Sequence, residues 1–288
     1  MAMRQGFIRA LDGVKLHWGG WGLDETPASH PTAIIVHGYG EHLRRYDHVA
    51  RWLQSGGYAV VAIDVRGHGQ SEGQRGHVDR YDAYLVDVGA AFDLAARLRP
   101  QGKRLLLGHS NGGLISLRYA LSESGRRPDA LILSGALLEL AMKVPAWKER
   151  LGTMLSKTAG ATSMANDIDA SLLSHDPQVV QDYIDDPLVH TQVTPRYFTE
   201  MTAAREDAML RAPTLTLPTL ILHGASDSVV SPSGSRRLAE VVEGDVTHIE
   251  YPGLYHEIFN EVERQKVFAD MKAWLDERGL WSPQEESS

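Results

Sequence analysis

The residues best suited to chemistry lie in the pentapeptide G-H-S-N-G at residues 108–112. An apolar run at residues 104–107 precedes it and a helix-like sequence follows, so Ser110 stands at a strand-to-helix turn. A serine in this context is typical of the nucleophile elbow of serine hydrolases, in which a sharp turn strains the serine backbone and exposes its hydroxyl. The N–H of Asn111, at the helix N-terminus, is placed to bind a developing oxyanion. The pattern therefore predicts Ser110 as a nucleophile rather than as part of an ordinary glycine-rich turn.

A serine nucleophile requires partners, because its hydroxyl reacts poorly until a base within hydrogen-bond reach removes the proton. In proteins with this elbow the order along the chain is nucleophile, acid and histidine. Asp227 is the first acidic residue after a predicted strand at residues 219–224, and His256 follows a predicted strand at residues 246–251. Histidine accepts and returns a proton near neutral pH, and a carboxylate on its other ring nitrogen fixes its tautomer. The sequence thus predicts a catalytic triad of Ser110, Asp227 and His256.

Other titratable residues compete for these roles. His248 falls within a predicted strand, which favours a structural role. His37 and His223 end predicted strands, where packing or a hydrogen bond beside a loop accounts for them. Asp64 and Glu257 are the alternatives for the acid, but Asp64 precedes the nucleophile and so breaks the usual order.

The second oxyanion donor is expected in the loop after the third strand. There the sequence has H-G-Y-G at residues 37–40, directly after the apolar run Thr32–Val36. The glycines on both sides of Tyr39 allow the loop to curl toward the elbow. The backbone N–H groups of Tyr39 and Asn111 are therefore predicted to form the oxyanion hole.

A regular alternation of strands and helices must position these residues. Two short alternating runs flank an aspartate-glycine pair at residues 12–13 and indicate a hairpin. Apolar strands are predicted at residues 32–36, 58–64, 104–107, 130–134, 219–224 and 246–251. Helices are predicted between them, one of which has Asp79 as its cap and ends before Pro100. This alternation predicts a mostly parallel sheet with helices on both faces, and the elbow with the order nucleophile, acid and histidine identifies that sheet with the α/β-hydrolase fold.

A long helical segment interrupts the alternation. From about residue 137 to residue 218 the sequence has helical periodicity and loops but no convincing strand. Active sites in open α/β sheets lie at the carboxyl ends of the strands, so an insertion after the sixth strand is placed to cover the site. We therefore expect residues 1–136 and 219–288 to form the hydrolase core, and residues 137–218 to form a helical cap, or lid.

Composition excludes several classes of function. The chain has 288 residues, 43% of them hydrophobic, and its net charge of −8 comes without a basic block, which argues against a nucleic-acid partner. The absence of cysteine excludes disulfides, thiol catalysis and thiolate metal ligands. His68 with His37 or His42 matches no ligand spacing, so neither a metal nor another cofactor is expected. With no signal-like start and no apolar run of ~20 residues, a cytoplasmic protein is expected.

Several motifs together resemble the monoacylglycerol lipase family. They are H-G-Y-G-E-H at residues 37–42, R-G-H-G-Q-S-E-G at 66–73, G-H-S-N-G-G at 108–113, D-P-L-V at 186–189, H-G-A-S-D at 223–227 and the pair His256-Glu257. The first two motifs are far more specific in combination than the elbow alone, and the matches extend from about residue 33 to about residue 275. The resemblance implies cleavage of the single ester of a monoacylglycerol, a small lipid substrate, without a cofactor.

The resemblance also bears on the substrate pocket. Glu41, Arg45 and Tyr183 match family positions that line its glycerol end, although an ordinary surface salt bridge and a core aromatic would explain them equally well. Asn111 stands where the family often has methionine, and Tyr39 stands where it has a smaller residue. Both proposed oxyanion donors are backbone N–H groups, so catalysis is expected to survive, but the altered pocket wall leaves the acyl preference open.

A mobile cap with a lipid-facing surface is a further implication, and peripheral contact with membranes is expected from it. The apolar stretch at residues 137–147 offers Trp147 to a headgroup boundary, with Lys143 and Lys148 reaching outward. The alternative is that this stretch packs inward over the acyl chain, and apolar periodicity does not separate the two.

Other functions stay open from the sequence. The wider group includes carboxylesterases of broad specificity and lysophospholipases, and some proteins of this fold keep a vestigial triad and act as receptors. An aminopeptidase would need an acidic site for the substrate amine, and the glycerol role suits Glu41 better. A dehalogenase or epoxide hydrolase would carry aspartate in place of Ser110, so both are excluded. The oligomeric state is left open.

Overall fold

The computed structural model describes residues 3–123, 125–141, 146–166 and 168–281. Its strands are β1 (Arg4–Arg9), β2 (Lys15–Trp21), β3 (Thr32–Val36), β4 (Ala59–Ile63), β5 (Arg104–His109), β6 (Ala130–Ser134), β7 (Met164–Ala165), β8 (Gln192–Val193), β9 (Thr219–Gly224) and β10 (Val246–Tyr251). Its helices are α1 (Asp47–Ser55), α2 (Ala83–Leu98), α3 (Asn111–Leu121), α4 (Ala146–Thr158), α5 (Pro177–Asp185), α6 (Pro195–Arg211), α7 (Pro232–Val241) and α8 (Arg264–Glu277). Short 3₁₀ turns lie at Leu43–Tyr46, Ala170–Leu172 and Ala212–Thr214.

Eight strands form one sheet in the order β1-β2-β4-β3-β5-β6-β9-β10. β2 runs antiparallel to β1 and β4, and the other neighbouring pairs are parallel. The predicted hairpin and the mostly parallel α/β-hydrolase sheet are confirmed. β3 and β4 are buried along their whole length, which explains why their sequences are continuously apolar rather than alternating. Parallel pairing brings the loops that follow β3, β5, β9 and β10 to one edge of the sheet.

Two hydrophobic clusters cover the two faces of the sheet. Successive side chains of a strand point to opposite faces, so Ile34 packs in one cluster with α2 and α3, and Ile35 packs in the other with α1 and α8. Burial of an apolar side chain of this size contributes about 1.5–3 kcal/mol. The strands are therefore held from both sides, and the loops at their carboxyl ends start from fixed positions.

The segment between β6 and β9 adds no strand to the main sheet within the described ranges. It contains α4, α5 and α6, together with a short antiparallel pair of β7 and β8 that the sequence did not predict. Strands of two residues carry too little periodicity to be recognised. Met201 and Ala204 of α6 lie in the same hydrophobic cluster as α2 and α3, so this helix packs directly against the core.

The prediction that Asp79 caps the second long helix is wrong. The helix begins at Ala83, and Asp82 precedes it without a capping hydrogen bond from its side chain. The N–H of Tyr81 instead donates to the carboxylate of Glu200 on α6, at 3.0 Å. A carboxylate that is distant along the chain thus binds this turn, and local sequence does not reveal such a partner.

The predicted lipid contact of Trp147 with Lys143 and Lys148 lies outside what the structure describes. Residues 142–145 are outside the described ranges, and the side chains of residues 146–149 are likewise not described. Within the described ranges, no helix has the length and apolar character needed to span a bilayer.

Candidate active site

Ser110 occupies a strained turn between β5 and α3. Its φ of 54° and ψ of −119° make it the one non-glycine residue with positive φ in the described part of the chain. Such a conformation costs about 1–3 kcal/mol and persists only where the surroundings fix it. Here the Ser110 N–H donates to Ser134 O, and the Ser110 carbonyl accepts from Leu114 and Leu137. A Cβ on Gly112 would collide with the carbonyls that end β3, so this turn requires glycine there.

The structure brings together the three residues predicted to form the triad. His256 Nε2 lies 3.0 Å from Ser110 Oγ, and His256 Nδ1 lies 2.7 Å from Asp227 Oδ2. The other carboxylate oxygen of Asp227 accepts from the N–H groups of Val229 and Val230, each at 2.9 Å. The carboxylate is thereby fixed in orientation. This chain of hydrogen bonds allows the imidazole to take the serine proton while the carboxylate stabilises the imidazolium.

The charges around His256 favour its protonated form. Burial alone would lower the pKa of His256, but the Asp227 carboxylate, with Glu257 and Glu41 further away, raises it above its ordinary value of 6.5. Burial would likewise raise the pKa of Asp227, yet His256 and His223 hold that pKa well below its ordinary range. Asp227 is therefore ionised throughout the working pH range, and His256 becomes a base only above its raised pKa.

A second histidine contacts the same carboxylate. His223 Nε2 lies 3.1 Å from Asp227 Oδ2 and 3.1 Å from the carbonyl of Val230. Because a carbonyl only accepts, Nε2 carries the proton, and Nδ1 accepts from Ser235 Oγ at 2.7 Å. Sequence reasoning did not connect His223 with the acid. The available signal was its position four residues before Asp227, in the motif at residues 223–227.

The loop after β3 passes close to the elbow. A Cβ built on Gly38 would lie 3.2 Å from the Cβ of Ser110. The Gly38 N–H donates to Glu41 Oε1 at 2.6 Å. The N–H groups of Tyr39 and Asn111, in contrast, have no hydrogen-bond partner among the described residues. An oxyanion formed on a substrate bound to Ser110 is the type of acceptor that such groups require.

The remaining predicted residues form a buried charge network. Glu41 Oε1 accepts from Gly38 and from the Tyr46 hydroxyl, each at 2.6 Å, and Oε2 accepts from Arg45 at 2.8 Å. Arg45 also makes two hydrogen bonds to Glu257, at 2.6 and 2.8 Å. Both carboxylate side chains are only 5% exposed, so this is not an ordinary surface salt bridge. Glu257, an alternative for the triad acid, is thus the partner of Arg45, which sequence reasoning did not reveal.

Ser110 opens into a small cavity that is shared with this network. Its walls are formed by eleven residues, namely Gly38, Tyr39, Glu41, His109, Ser110, Ile168, Leu173, Tyr183, Val229, His256 and Glu257. The cavity volume is about 30 Å³, the space of roughly one water molecule. Three of these residues, Ile168, Leu173 and Tyr183, belong to the segment between β6 and β9. A larger cavity of about 450 Å³ lies between α1 and α5 and does not include Ser110. Within the described residues, no cluster of histidine and carboxylate side chains is suited to bind a metal.

Comparison with known proteins adds to this geometry. Residues 27–263 match the family described as serine aminopeptidase S33. The chain is 36% identical over 269 residues to the monoacylglycerol lipase of Mycolicibacterium smegmatis, covering 92% of this chain and 94% of that protein. It is 30% identical over 254 residues to phospholipase YtpA of Bacillus subtilis, covering 87% of this chain and 97% of that protein.

A solved structure extends the similarity to three dimensions. The monoacylglycerol lipase of Paleococcus ferrophilus is 30% identical, with a TM-score of 0.78, and the superposition covers 96% of this chain and 98% of that one. The similarity therefore includes both the sheet and the helical segment between β6 and β9, and is not restricted to the elbow.

Proposed function

This chain belongs to the monoacylglycerol lipase family and is a hydrolase of lipid esters, and we propose that it cleaves the ester of monoacylglycerols into a fatty acid and glycerol. The observation that carries the proposal is the hydrogen-bonded chain from Ser110 through His256 to Asp227, beside two N–H groups that lack partners. This arrangement contains the parts that acyl transfer to a serine requires.

The proposed acylation step uses each of these parts once. His256 Nε2 removes the proton of Ser110, and Oγ attacks the ester carbonyl carbon. The N–H groups of Tyr39 and Asn111 donate to the oxyanion of the tetrahedral intermediate, where loss of one donor typically costs 10²–10³ in kcat. The intermediate then collapses, and the C–O bond to glycerol breaks. His256 returns its proton to the departing oxygen, which leaves an acyl-enzyme on Ser110.

Deacylation repeats the same chemistry with water. His256 removes a proton from water, the hydroxide attacks the acyl-enzyme carbonyl, and the same two N–H groups bind the second oxyanion. Collapse breaks the bond to Ser110 Oγ, which recovers its proton from His256. Fatty acid is released and the enzyme returns to its initial state. Asp227 stays ionised throughout and stabilises His256 whenever it is charged.

The charge network next to Ser110 supports selection of a glycerol leaving group. Glu41 and Tyr183 line the same small cavity as Ser110. Three protein donors already occupy Glu41, which leaves an acceptor position on Oε2, and the Arg45 guanidinium stacks 4.8 Å from the centre of the Tyr183 ring. A second acyl chain in place of a free hydroxyl would leave such groups buried without partners, at about 1–3 kcal/mol each. Two such losses correspond to a preference of about 10² or more for monoacylglycerol over diacylglycerol.

The test compares substrates on the wild type and on Tyr183→Phe, with Tyr251→Phe as the matched control. Tyr251 is a buried tyrosine at the end of β10 that does not line the Ser110 cavity. We expect kcat/KM of Tyr183→Phe to fall about tenfold for monoacylglycerol, the loss of about one hydrogen bond. A p-nitrophenyl ester of equal chain length should be cleaved as before, because its leaving group carries no hydroxyls.

Several outcomes would contradict the proposal. Equal cleavage of mono- and diacylglycerol by the wild type would favour a broad carboxylesterase. Faster cleavage of lysophospholipid than of monoacylglycerol would favour a lysophospholipase. A single burst of p-nitrophenol without steady turnover would indicate a receptor with a vestigial triad.

Contact of the insertion with a lipid surface is part of the same proposal. Five large apolar side chains in the described part of the segment between β6 and β9 are exposed, namely Met154 at 56%, Met164 at 46%, Ile168 at 36%, Ile184 at 61% and Leu210 at 81%. Exposed apolar side chains of this kind supply the affinity of proteins that lie at a membrane interface.

A further inference from the structure

Tyr39 and Asn111 carry the proposed oxyanion donors on their backbones. The side chains of both residues are bound by one segment of the insertion, residues 190–197. The Tyr39 hydroxyl donates to the carbonyl of Gln192 at 2.6 Å. The Tyr197 hydroxyl donates to Asn111 Oδ1 at 3.0 Å. The rings of Tyr39 and Tyr197 lie 4.5 Å apart between their centres, and the N–H of His190 donates to the carbonyl of Gly40 at 2.8 Å. Both donor residues are thus joined to each other through the insertion.

Asn111 is held from two sides. Its Oδ1 also accepts from the Tyr81 hydroxyl at 2.6 Å, and Asn111 is fully buried. Tyr81 precedes α2 in the core, whereas Tyr197 lies on α6 of the insertion. Burial raises the pKa of both tyrosines well above the ordinary range, so both hydroxyls keep their protons at any working pH. The carboxamide is therefore fixed by one donor from the core and one from the insertion.

The short side chain of Asn111 makes this fixation relevant to its backbone. Only two rotatable bonds separate the carboxamide from the backbone, so clamping Oδ1 restricts the peptide plane that carries the proposed donor N–H. Oxyanion donors act only within a narrow range of about 2.7–3.1 Å. A displacement of about 1 Å in such a constellation costs up to 10²-fold in rate. A side chain that fixes the plane thus affects the transition state without touching substrate.

We propose that Tyr197 is a positioning residue, which sets the oxyanion hole by clamping the side chain of Asn111 and packing against Tyr39. The inference rests on the proposed function only in assigning the oxyanion to the N–H groups of Tyr39 and Asn111. It connects the two departures from the family pattern, Tyr39 and Asn111, because both side chains contact Tyr197. Tyrosine at position 39 reaches the insertion, and asparagine at position 111 gives Tyr197 an acceptor that methionine would not provide.

The test uses Tyr197→Phe, which keeps the ring and removes the hydroxyl. With a p-nitrophenyl butyrate substrate, we expect kcat to fall about tenfold and KM to change less than about twofold, since the lost contact acts mainly in the transition state. Affinity for a boronic acid, which forms a tetrahedral adduct with serine, should fall by the same factor as kcat. The acidic limb of the pH profile should not move, because His256 and Asp227 keep their partners.

Two further variants keep the test decisive. Tyr84→Phe is the control, since Tyr84 is buried beside Tyr81 and its hydroxyl has no partner among the described residues, so its kcat should equal that of the wild type. Tyr39→Phe removes the bond to Gln192 and should reproduce the fall in kcat without a change in KM. In the double variant Tyr197→Phe with Asn111→Leu, kcat should be no lower than in Asn111→Leu alone, because the two substitutions remove the same hydrogen bond.

The outcomes separate this inference from the proposed function. Unchanged kcat in Tyr197→Phe, or losses that multiply in the double variant, would overturn the positioning role alone. A change in KM with constant kcat would do the same. If Ser110→Ala keeps turning over the p-nitrophenyl ester, the proposed chemistry fails. If only monoacylglycerol is not cleaved, the substrate proposal fails while the role of Tyr197 stands.

Discussion

At the scale of single residues, Ser110 has the strained backbone conformation and also the hydrogen bond to His256. Its substitution is therefore the most direct test of the chemistry. Ser110→Ala is expected to lower kcat by about 10⁶, as loss of the nucleophile of a triad does. The fold should persist, because alanine keeps the backbone contacts at this turn. Hydrolysis of a p-nitrophenyl ester and labelling by a fluorophosphonate measure the effect. Ser116→Ala is the control, since Ser116 is buried on the same helix and its hydroxyl has no partner among the described residues. Residual activity above about a hundredth of the wild type, or a label on another residue, would contradict the assignment.

The pH dependence tests His256. As a base it must be neutral, and the Asp227 carboxylate raises its pKa above 6.5. Activity should therefore be lost as the pH falls through that raised pKa, and kcat/KM should show an acidic limb with an apparent pKa above 6.5. Asp227→Asn removes the charge, so the limb should move to lower pH while kcat falls about 10⁴-fold. A limb at or below 6.5 in the wild type, or one unmoved in the variant, would contradict this account.

Sequence reasoning predicted the site residues that are defined by their order along the chain. Ser110, Asp227 and His256 each follow a recognisable strand in the expected order, and the structure brings them together. The contact of Arg45 with Glu257 connects residues 212 positions apart, and no sequence pattern around either residue predicts this contact. Contacts of this kind depend on how distant elements pack, and local sequence holds no record of them.

At the scale of elements, the strands were predictable because each central strand is apolar along its whole length. Strands buried on both faces, such as β3 and β4, have continuous apolar runs, and these runs predict a strand of a parallel sheet. The start of α2 was missed because Glu200 on α6 binds that turn instead of a local cap. Helical periodicity indicated the helices between β6 and β9, but it did not indicate where they attach to the core. Residues 190–197 are tied to the loop after β3 by the backbone hydrogen bond from His190 to Gly40 and by the bond from the Tyr39 hydroxyl to the Gln192 carbonyl, and both bonds end on backbone carbonyls that leave no signature in the side-chain pattern.

The insertion also carries the proposed lipid contact. Met154 on α4 and Ile184 on α5 are exposed. Inserting such a side chain into an apolar environment contributes about 1.5–3 kcal/mol. The double variant Met154→Ser with Ile184→Ser should therefore bind vesicles at least about tenfold more weakly in co-sedimentation, because 1.4 kcal/mol is a factor of ten.

The control for this experiment is Leu11→Ser in the turn of the hairpin, where Leu11 is 91% exposed and far along the chain from the insertion. Its vesicle binding should equal that of the wild type. An equal loss of binding in this control, or no vesicle binding by the wild type at low salt, would contradict a specific role of the insertion.

At the scale of the whole molecule, the active site lies over an interior that contains many buried histidines. Burial lowers the pKa of several of them, including four near the elbow and the loop after β3, namely His37, His68, His109 and His190. For His109 and His190 the pKa falls to about 4. Their rings lie close to the elbow and to the loop after β3: His109 contacts His256, and His68 contacts both His37 and His190. Fold stability is thereby coupled to the same region that carries the proposed chemistry.

This coupling predicts that the folded protein is sensitive to mild acid. The unfolded chain takes up protons on these histidines near the ordinary value of about 6.5, whereas the folded chain resists until lower pH. Their contribution to stability is therefore complete above about pH 6.5 and is lost as the pH falls toward about 4. Asp87, whose pKa burial raises to about 6, and His256, whose pKa is also raised, each oppose the trend by one proton. A net excess of about two protons on the unfolded chain corresponds to roughly 2–3 kcal/mol per pH unit.

Urea unfolding between pH 7 and pH 4.5 measures this slope. The variant His190→Asn removes one of the four histidines, so its free energy of unfolding should depend on pH less steeply, by about 1.4 kcal/mol per pH unit. A constant free energy of unfolding from pH 7 to pH 5 would contradict the prediction, since it would mean that these histidines take up protons equally in both states. An unchanged slope in His190→Asn would exclude His190 in particular. The wild-type slope also sets the pH range in which the acidic limb of kcat/KM can be assigned to His256 rather than to unfolding.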